Sequence, residues 1–149
     1  DDLINAVLAL SSLDLVQLHG SETPARVTEI KQLTNLSIMK VIKLAGPEDL
    51  ASAAAYYDVA DRLLFDAKAP ADMKNALPGG NALAFDWELL RDADIPLPWM
   101  LAGGLDAENL AEAVSISEAS DLDVSSGVES APGIKDLKLI KDFLSAAKG

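Results

Sequence analysis

Two glycine-rich segments carry the clearest chemical signal in this chain: Trp99-Met100-Leu101-Ala102-Gly103-Gly104-Leu105 and Asp123-Val124-Ser125-Ser126-Gly127-Val128-Glu129. Each is an apolar run that stops at small residues, and a helical pattern follows each one. Glycine lets a backbone approach an anion closely, and N–H groups converging from two such loops can cradle one phosphate. Read without that ligand, the same segments are two tight strand-to-helix turns. Gly103, Gly104, Ser126 and Gly127 are the candidate phosphate binders. Asp66 ends the apolar run Leu63-Leu64-Phe65, where partial burial would raise its pKa and suit it to general acid work. Its plainer role is to bond a loop or cap a helix. Asp123 precedes the Ser-Ser-Gly turn and either orients a substrate hydroxyl or amine or bonds backbone. His19 is the only histidine in the sequence. Alone it builds neither a triad nor a metal cage, so its expected role is substrate contact. Lys43 either faces the ligand or snorkels. Trp87 and Trp99 read as core.

The elements that position these groups alternate regularly. A helical pattern over residues 1–12 leads into a strand at Leu13–Leu18. Thr23 and Pro24 open a helix as cap and first-turn residue. Strands follow at Ser37–Leu44, Asp61–Asp66, Leu97–Ala102 and Leu122–Ser125. Helices are expected from Gly46 to about Tyr57, from Asp86 through Arg91, from Asp106 onward with Leu110, Ala113, Val114 and Ile116 on its apolar side, and over 136–147 with Leu137, Ile140, Phe143 and Leu144. The stretch Ala67–Phe85, with Pro70, Pro78, Gly79 and Gly80, lacks periodicity and reads as a functional or mobile loop. Apart from that loop, strand starts recur roughly every 23 residues, and alternating strands and helices mean parallel βα units.

The active face of a parallel barrel lies at the C-terminal ends of its strands, often with a phosphate site after the last two. That face collects His19, Lys43, Asp66, Gly103, Gly104, Asp123, Ser125, Ser126 and Gly127. A closed eight-stranded barrel needs at least about 200 residues, and the sequence has 149. The expected architecture is therefore α/β: an incomplete (βα)8 barrel of about five parallel βα units preceded by a helix, in one domain spanning 1–149. An open five-stranded sheet is the rival. Alone, the partial barrel would expose two strand edges and invite aggregation.

Composition narrows the chemistry further. Hydrophobic residues make up 50% of the sequence, enough for a core. There is no apolar run of membrane-spanning length and no secretory leader pattern; the expected location is cytoplasmic. Net charge is −12 with three arginines, Arg26, Arg62 and Arg91, which argues against nucleic-acid binding. Cysteine is absent, which removes thiol nucleophiles, disulfides and Cys-based zinc sites from these residues. No metal or other cofactor is expected.

Taken together and in order, Val16-Gln17-Leu18-His19-Gly20, Leu63-Leu64-Phe65-Asp66, Gly79-Gly80-Asn81, Phe85-Asp86-Trp87, Leu101-Ala102-Gly103-Gly104-Leu105, Glu108-Asn109, Asp123 to Glu129 and Ser130-Ala131-Pro132-Gly133-Ile134-Lys135-Asp136 resemble the phosphoribosylanthranilate isomerase family. The resemblance runs over nearly the whole chain. It implies a (βα)8 barrel, from its third helix through its eighth βα unit, and a cofactor-free Amadori rearrangement of N-(5-phosphoribosyl)anthranilate in tryptophan biosynthesis. It implies Asp66 as general acid, Gly103, Gly104, Ser126 and Gly127 around the phosphate, and His19 and Asp123 lining the substrate pocket. The family's base is a cysteine after its first strand, and an arginine from the early units holds the anthranilate carboxylate. Neither segment occurs here, so the expectation is a piece that needs N-terminal βα units to close the barrel and is inactive alone. A fusion to indole-glycerol-phosphate synthase is also compatible. Two further departures are Ala82, where relatives often have glycine, and Asp106-Ala107, where Thr-Pro or Asn-Pro is frequent. The alternative reading is a non-catalytic phosphosugar-binding fragment or split-barrel partner. Neighbouring phosphosugar barrels fit less well, given Gln17-Leu18-His19-Gly20 and Phe85-Asp86-Trp87.

Overall fold

The computed structural model describes residues 1–68 and 85–148. Most of the long segment before Phe85, with its Gly79-Gly80-Asn81 motif and Ala82, lies outside the described residues. Helix α1 (Asp2–Leu10) is followed by β1 (Leu15–Leu18), α2 (Pro24–Thr34), β2 (Ser37–Leu44), α3 (Pro47–Ser52), β3 (Arg62–Ala67), β4 (Trp99–Leu101), α4 (Leu110–Ser117), β5 (Glu129–Ala131), β6 (Ile134–Lys135) and α5 (Leu137–Ala146). Strands β1 to β4 form one parallel sheet in sequential order. Sequential order without reversal distinguishes a barrel segment from a doubly wound sheet, whose order turns back at a switch point. Among the described residues the sheet does not close on itself, and no helix is long and apolar enough to cross a membrane.

Strand alternation sorts the side chains into two layers. Met39, Val41, Leu64 and Ala102, with Leu15 and Met100, pack on the inner face. Ile42, Leu44, Leu63, Phe65 and Leu101 pack on the outer face beneath the helices, together with Leu110, Ala113 and Phe143. Trp99 meets Phe65 edge-on at 5.6 Å in that outer layer, and Trp87 packs against the same core. Both tryptophans are packing residues, as expected.

Helix α2 starts where the sequence places it. Thr23 Oγ1 accepts the Arg26 N–H at 3.3 Å, Pro24 occupies the first turn, and Asn35 closes the helix with φ 53°. Asp136 caps α5 by accepting from the N–H groups of Lys138 and Leu139.

Four expectations are corrected, and one turn was missed. The fifth strand, Leu122–Ser125, reduces to a single parallel bridge between Leu101 and Leu122, held by Leu101 N–H to Asp121 O and Asp123 N–H to Leu101 O. The chain turns away at once, with Ser125 at φ −122°, ψ −85°, and among the described residues no strand supports its other side. Asp106 caps as expected, its carboxylate accepting from the Glu108 and Asn109 N–H groups and its carbonyl from the Leu110 N–H, but the first turn is irregular and the regular helix begins only at Leu110. The helix from Gly46 changes to a 3₁₀ turn at Ala53–Tyr56. In α5, Leu137 and Leu144 are exposed, and the core side is Leu139, Ile140 and Phe143. Pro132-Gly133 makes a hairpin between β5 and β6, a turn dipeptide left unread within the tail motif.

Candidate active site

The C-terminal ends of β1, β3 and β4 and the turn after Leu122 enclose a cavity of about 290 Å³. His19, Asp66, Gly103, Gly104, Asp123 and Ser126 all line it. Two expected residues do not. Lys43 is absent from the lining although it shares the inner face of β2, and Gly127 sits behind the wall.

Asp66 reaches the cavity because β3 alternates Leu64 and Asp66 inward and Leu63 and Phe65 outward. It is buried, at 7% exposure. Its Oδ1 accepts the N–H of Ala67 at 2.9 Å, and its Oδ2 lies 3.1 Å from His19 Nε2. Oδ1 thus faces a backbone donor, and Oδ2 is the oxygen turned toward the imidazole. Gly103 makes the close packing here possible. Its φ is +87°, and a Cβ on it would lie 2.5 Å from Ala67 N and 3.1 Å from Asp66 Oδ1.

Asp123 is half-buried across the cavity. Burial pushes its carboxyl above the usual range, and the charge of Asp66 adds to that; His19 and Lys135 act in the opposite direction. Two carboxyls in one cavity, with an imidazole on the first, form an arrangement that can hold and deliver a proton.

The two glycine-rich loops are built as one wall. A Cβ on Gly127 would lie 1.9 Å from Leu105 O, so only glycine permits the Ser126-Gly127 turn to rest on the Gly103–Leu105 loop. Asn109 Nδ2 donates to Gly104 O at 2.8 Å, and its Oδ1 accepts the Asp106 N–H at 3.0 Å. Drawing the Gly104 carbonyl toward Asn109 turns the Leu105 N–H the opposite way, since the peptide is trans. Lys135, from β6, donates to Ser125 O at 2.8 Å and to Glu129 at 2.8 Å, fixing the second loop from below. Gln17 also lines the cavity, from the inner face of β1.

Two contributors to the site and one buried cation outside its lining were missed in the sequence. Lys135 was quoted only as part of a motif, and Gln17 likewise. Lys40 was absorbed into an apolar strand. Alternation against Lys43 would have placed Lys40 on the opposite, helix-facing side, where a charge demands partners.

The family model for N-(5'-phosphoribosyl)anthranilate (PRA) isomerase matches residues 1–146. The N-(5'-phosphoribosyl)anthranilate isomerase of Parvibaculum lavamentivorans is 53% identical over 148 residues, covering 99% of this chain and 69% of that protein. That of Rhodospirillum centenum is 53% identical over 145 residues, covering 97% of this chain and 67% of the relative. Among solved structures, phosphoribosyl anthranilate isomerase from Thermotoga maritima superposes with a TM-score of 0.82 at 33% identity, over 99% of this chain and 68% of that one. Another superposes with a TM-score of 0.79 at 30% identity, over 99% of this chain and 66% of that one; it is a phosphoribosyl anthranilate isomerase in complex with reduced 1-(o-carboxyphenylamino)-1-deoxyribulose 5-phosphate. With a sequential parallel sheet, a cavity at its strand ends and this match over almost all of its length, the chain belongs to the N-(5'-phosphoribosyl)anthranilate isomerase family.

Proposed function

We propose that the cavity is the substrate site for the Amadori rearrangement of N-(5-phosphoribosyl)anthranilate to 1-(2-carboxyphenylamino)-1-deoxyribulose 5-phosphate, the isomerase step of tryptophan biosynthesis in the cytoplasm. The observation that carries the assignment of roles is the buried Asp66 at the end of β3, facing His19 inside the cavity. Asp66 is the general acid. It delivers its Oδ2 proton to the ribose ring oxygen as the nitrogen lone pair expels it and the C1–O bond breaks, giving the open-chain iminium. A base then removes the C2 proton to give the enol amine, which tautomerises to the ketose. His19 orients the acid and lines the substrate pocket with Asp123. The loops at Gly103-Gly104 and Ser126-Gly127 hold the phosphate, Gly127 by allowing the two loops to meet rather than by direct contact. Residues 1–149 hold no cysteine; on the family pattern the base and the carboxylate-binding arginine come from outside these residues, and N-terminal βα units complete the barrel.

The test is loss of anthranilate-substrate fluorescence with the chain alone and with an N-terminal segment of a relative supplied in trans. Turnover is expected only in the complemented enzyme, and Asp66→Asn is expected to lower it by about 10²- to 10⁴-fold. Full activity of the complemented Asp66→Asn variant would remove the acid assignment. The loop wall, which needs no base to hold an anion, supports one second reading, a non-catalytic phosphosugar binder. Tight binding of the reduced product analogue with no turnover even after complementation is its signature.

A further inference from the structure

One buried charge in this chain has no part in the chemistry above. Lys40, on the outer face of β2, is 2% exposed. A buried ammonium persists only when oxygen acceptors surround it. Its Nζ donates to Gly20 O at 2.8 Å, Val41 O at 3.0 Å and Glu22 Oε2 at 3.1 Å, and Leu18 O lies at 3.4 Å. The Tyr56 ring lies 5.6 Å from Nζ, and the Tyr56 hydroxyl donates to Glu22 O. The Glu22 carboxylate also accepts the Gly20 N–H, at 3.1 and 3.2 Å to its two oxygens.

The geometry is specific to one residue. The peptide before His19 offers its carbonyl, Leu18 O, to Lys40. The peptide after His19 offers its N–H, on Gly20, to Glu22. The next carbonyl, Gly20 O, returns to Lys40. Both peptide planes on which the His19 side chain hangs are therefore tied to one ion pair, on the opposite side of the sheet from the cavity. We propose that Lys40, with Glu22, is a positioning residue that holds His19 Nε2 against Asp66 Oδ2. The proposal rests on the reading of Asp66 as the general acid. Burial pushes the Glu22 carboxyl up, but backbone donors and Lys40 outweigh it and hold the group below its usual range.

Removing one partner of a buried ion pair leaves the other charge stranded, whereas removing both charges together does not. The test variant is therefore Lys40→Met with Glu22→Gln, in the complemented enzyme with ¹⁵N-histidine introduced into the 149-residue chain alone. His19 is then the only labelled imidazole. The expected result is a displaced His19 Nε2 resonance and a kcat about 10- to 100-fold lower, with KM changed less than about threefold, as for a misplaced catalytic group. A folded variant whose His19 signal or kcat matches the parent overturns the proposal. Should the double variant not fold, Glu22→Asp, which keeps both charges and shortens the reach to the Gly20 N–H, decides in the same way, with a smaller displacement expected. Asp66→Asn serves as the separate arm: retention of activity there sinks the acid reading, whereas Lys40 fails only if the His19 signal or kcat is indifferent to the ion pair.

Discussion

Strand β3 is bracketed by two aspartates five residues apart, and they are treated in opposite ways. Asp61, just before the strand, lies at the end of the sheet away from the cavity. Its Oδ1 accepts from Lys31 Nζ at 2.7 Å and its Oδ2 from the Ile38 N–H at 2.8 Å. Asp66, near the strand's end, is more deeply buried and faces no lysine or arginine among the described residues: its partners are one backbone N–H and an imidazole. Across the cavity, Asp123 adds a second carboxyl, which burial and Asp66 hold above the usual range. One end of the sheet neutralises its carboxylates and gains stability. The other crowds acids together and forgoes stability for a site that can move a proton.

That contrast is broken most directly at Asp66. In the complemented enzyme, Asp66→Asn is expected to lower kcat by about 10² to 10⁴, the range of one general acid, with stability unchanged or improved. A fluorescence assay beside a urea melt reads both, and an Asp66→Asn enzyme that melts early while turning over normally would invert the comparison. The next largest effect falls on the loop wall. Gly127→Ala drives a Cβ to 1.9 Å from Leu105 O, a backbone atom that cannot step aside. A loss of roughly 1–3 kcal/mol is expected from overpacking, together with weaker binding of the reduced product analogue, both measurable by melting with and without that ligand.

The sequence made the active end more legible than the quiet end, for physical reasons. Asp66, Gly103 and the Ser125-Ser126-Gly127 turn stand out because a carboxylate and glycines interrupt apolar runs at strand ends, and a sequential βα repeat brings those ends together. Gly127 shows the limit: glycine marks a close approach, but whether a ligand or Leu105 does the approaching depends on packing. Lys40 was hidden because two lysines within Ile38–Leu44 do not break a hydrophobic pattern, and the partners of Lys40 come mainly from a turn about twenty residues earlier. The bridge at Leu122 read as a strand because pattern reports apolar alternation and says nothing about whether a neighbouring strand is there to pair with it.

Asp123 sharpens the contrast within the site. Its folded pKa is raised, so its stabilising contribution is complete below the ordinary value of 3.8 and is lost as pH rises through the raised folded value. Once ionised, above that raised value, the group therefore weakens the fold. Asp123→Asn is expected to stabilise the protein by about 0.5–2 kcal/mol, as relief of functional-site strain does, and to flatten the decline in stability between acid and neutral pH. If Asp123 contacts substrate, kcat/KM falls about tenfold, equivalent to roughly 1.4 kcal/mol of transition-state contact. Urea midpoints from pH 4 to 8 decide the first claim; a variant less stable than the parent at pH 7 would show that Asp123 is a structural acceptor.

Asp61 supplies the smallest effect and the opposite sign. Burial pushes its carboxyl up, but the hydrogen bond from Lys31, that from the Ile38 N–H and the lysine's charge together hold it below the usual range. A depressed folded pKa means that the unfolded chain binds the proton more readily. The contribution is complete above the ordinary value of 3.8 and disappears as pH falls through the folded value. The pair is partly open to solvent, so screening leaves it modest, and Asp61→Asn is expected to cost about 1 kcal/mol at pH 7. Because Lys31, Ile38 and Asp61 lie away from the cavity, kcat and KM should stay at parental values. Melts at pH 7 and pH 3 provide the check, with the difference between parent and variant shrinking at the lower pH. A change in kcat would mean that the quiet end of β3 transmits strain to Asp66, five residues along the same strand, and that the two ends are not separable.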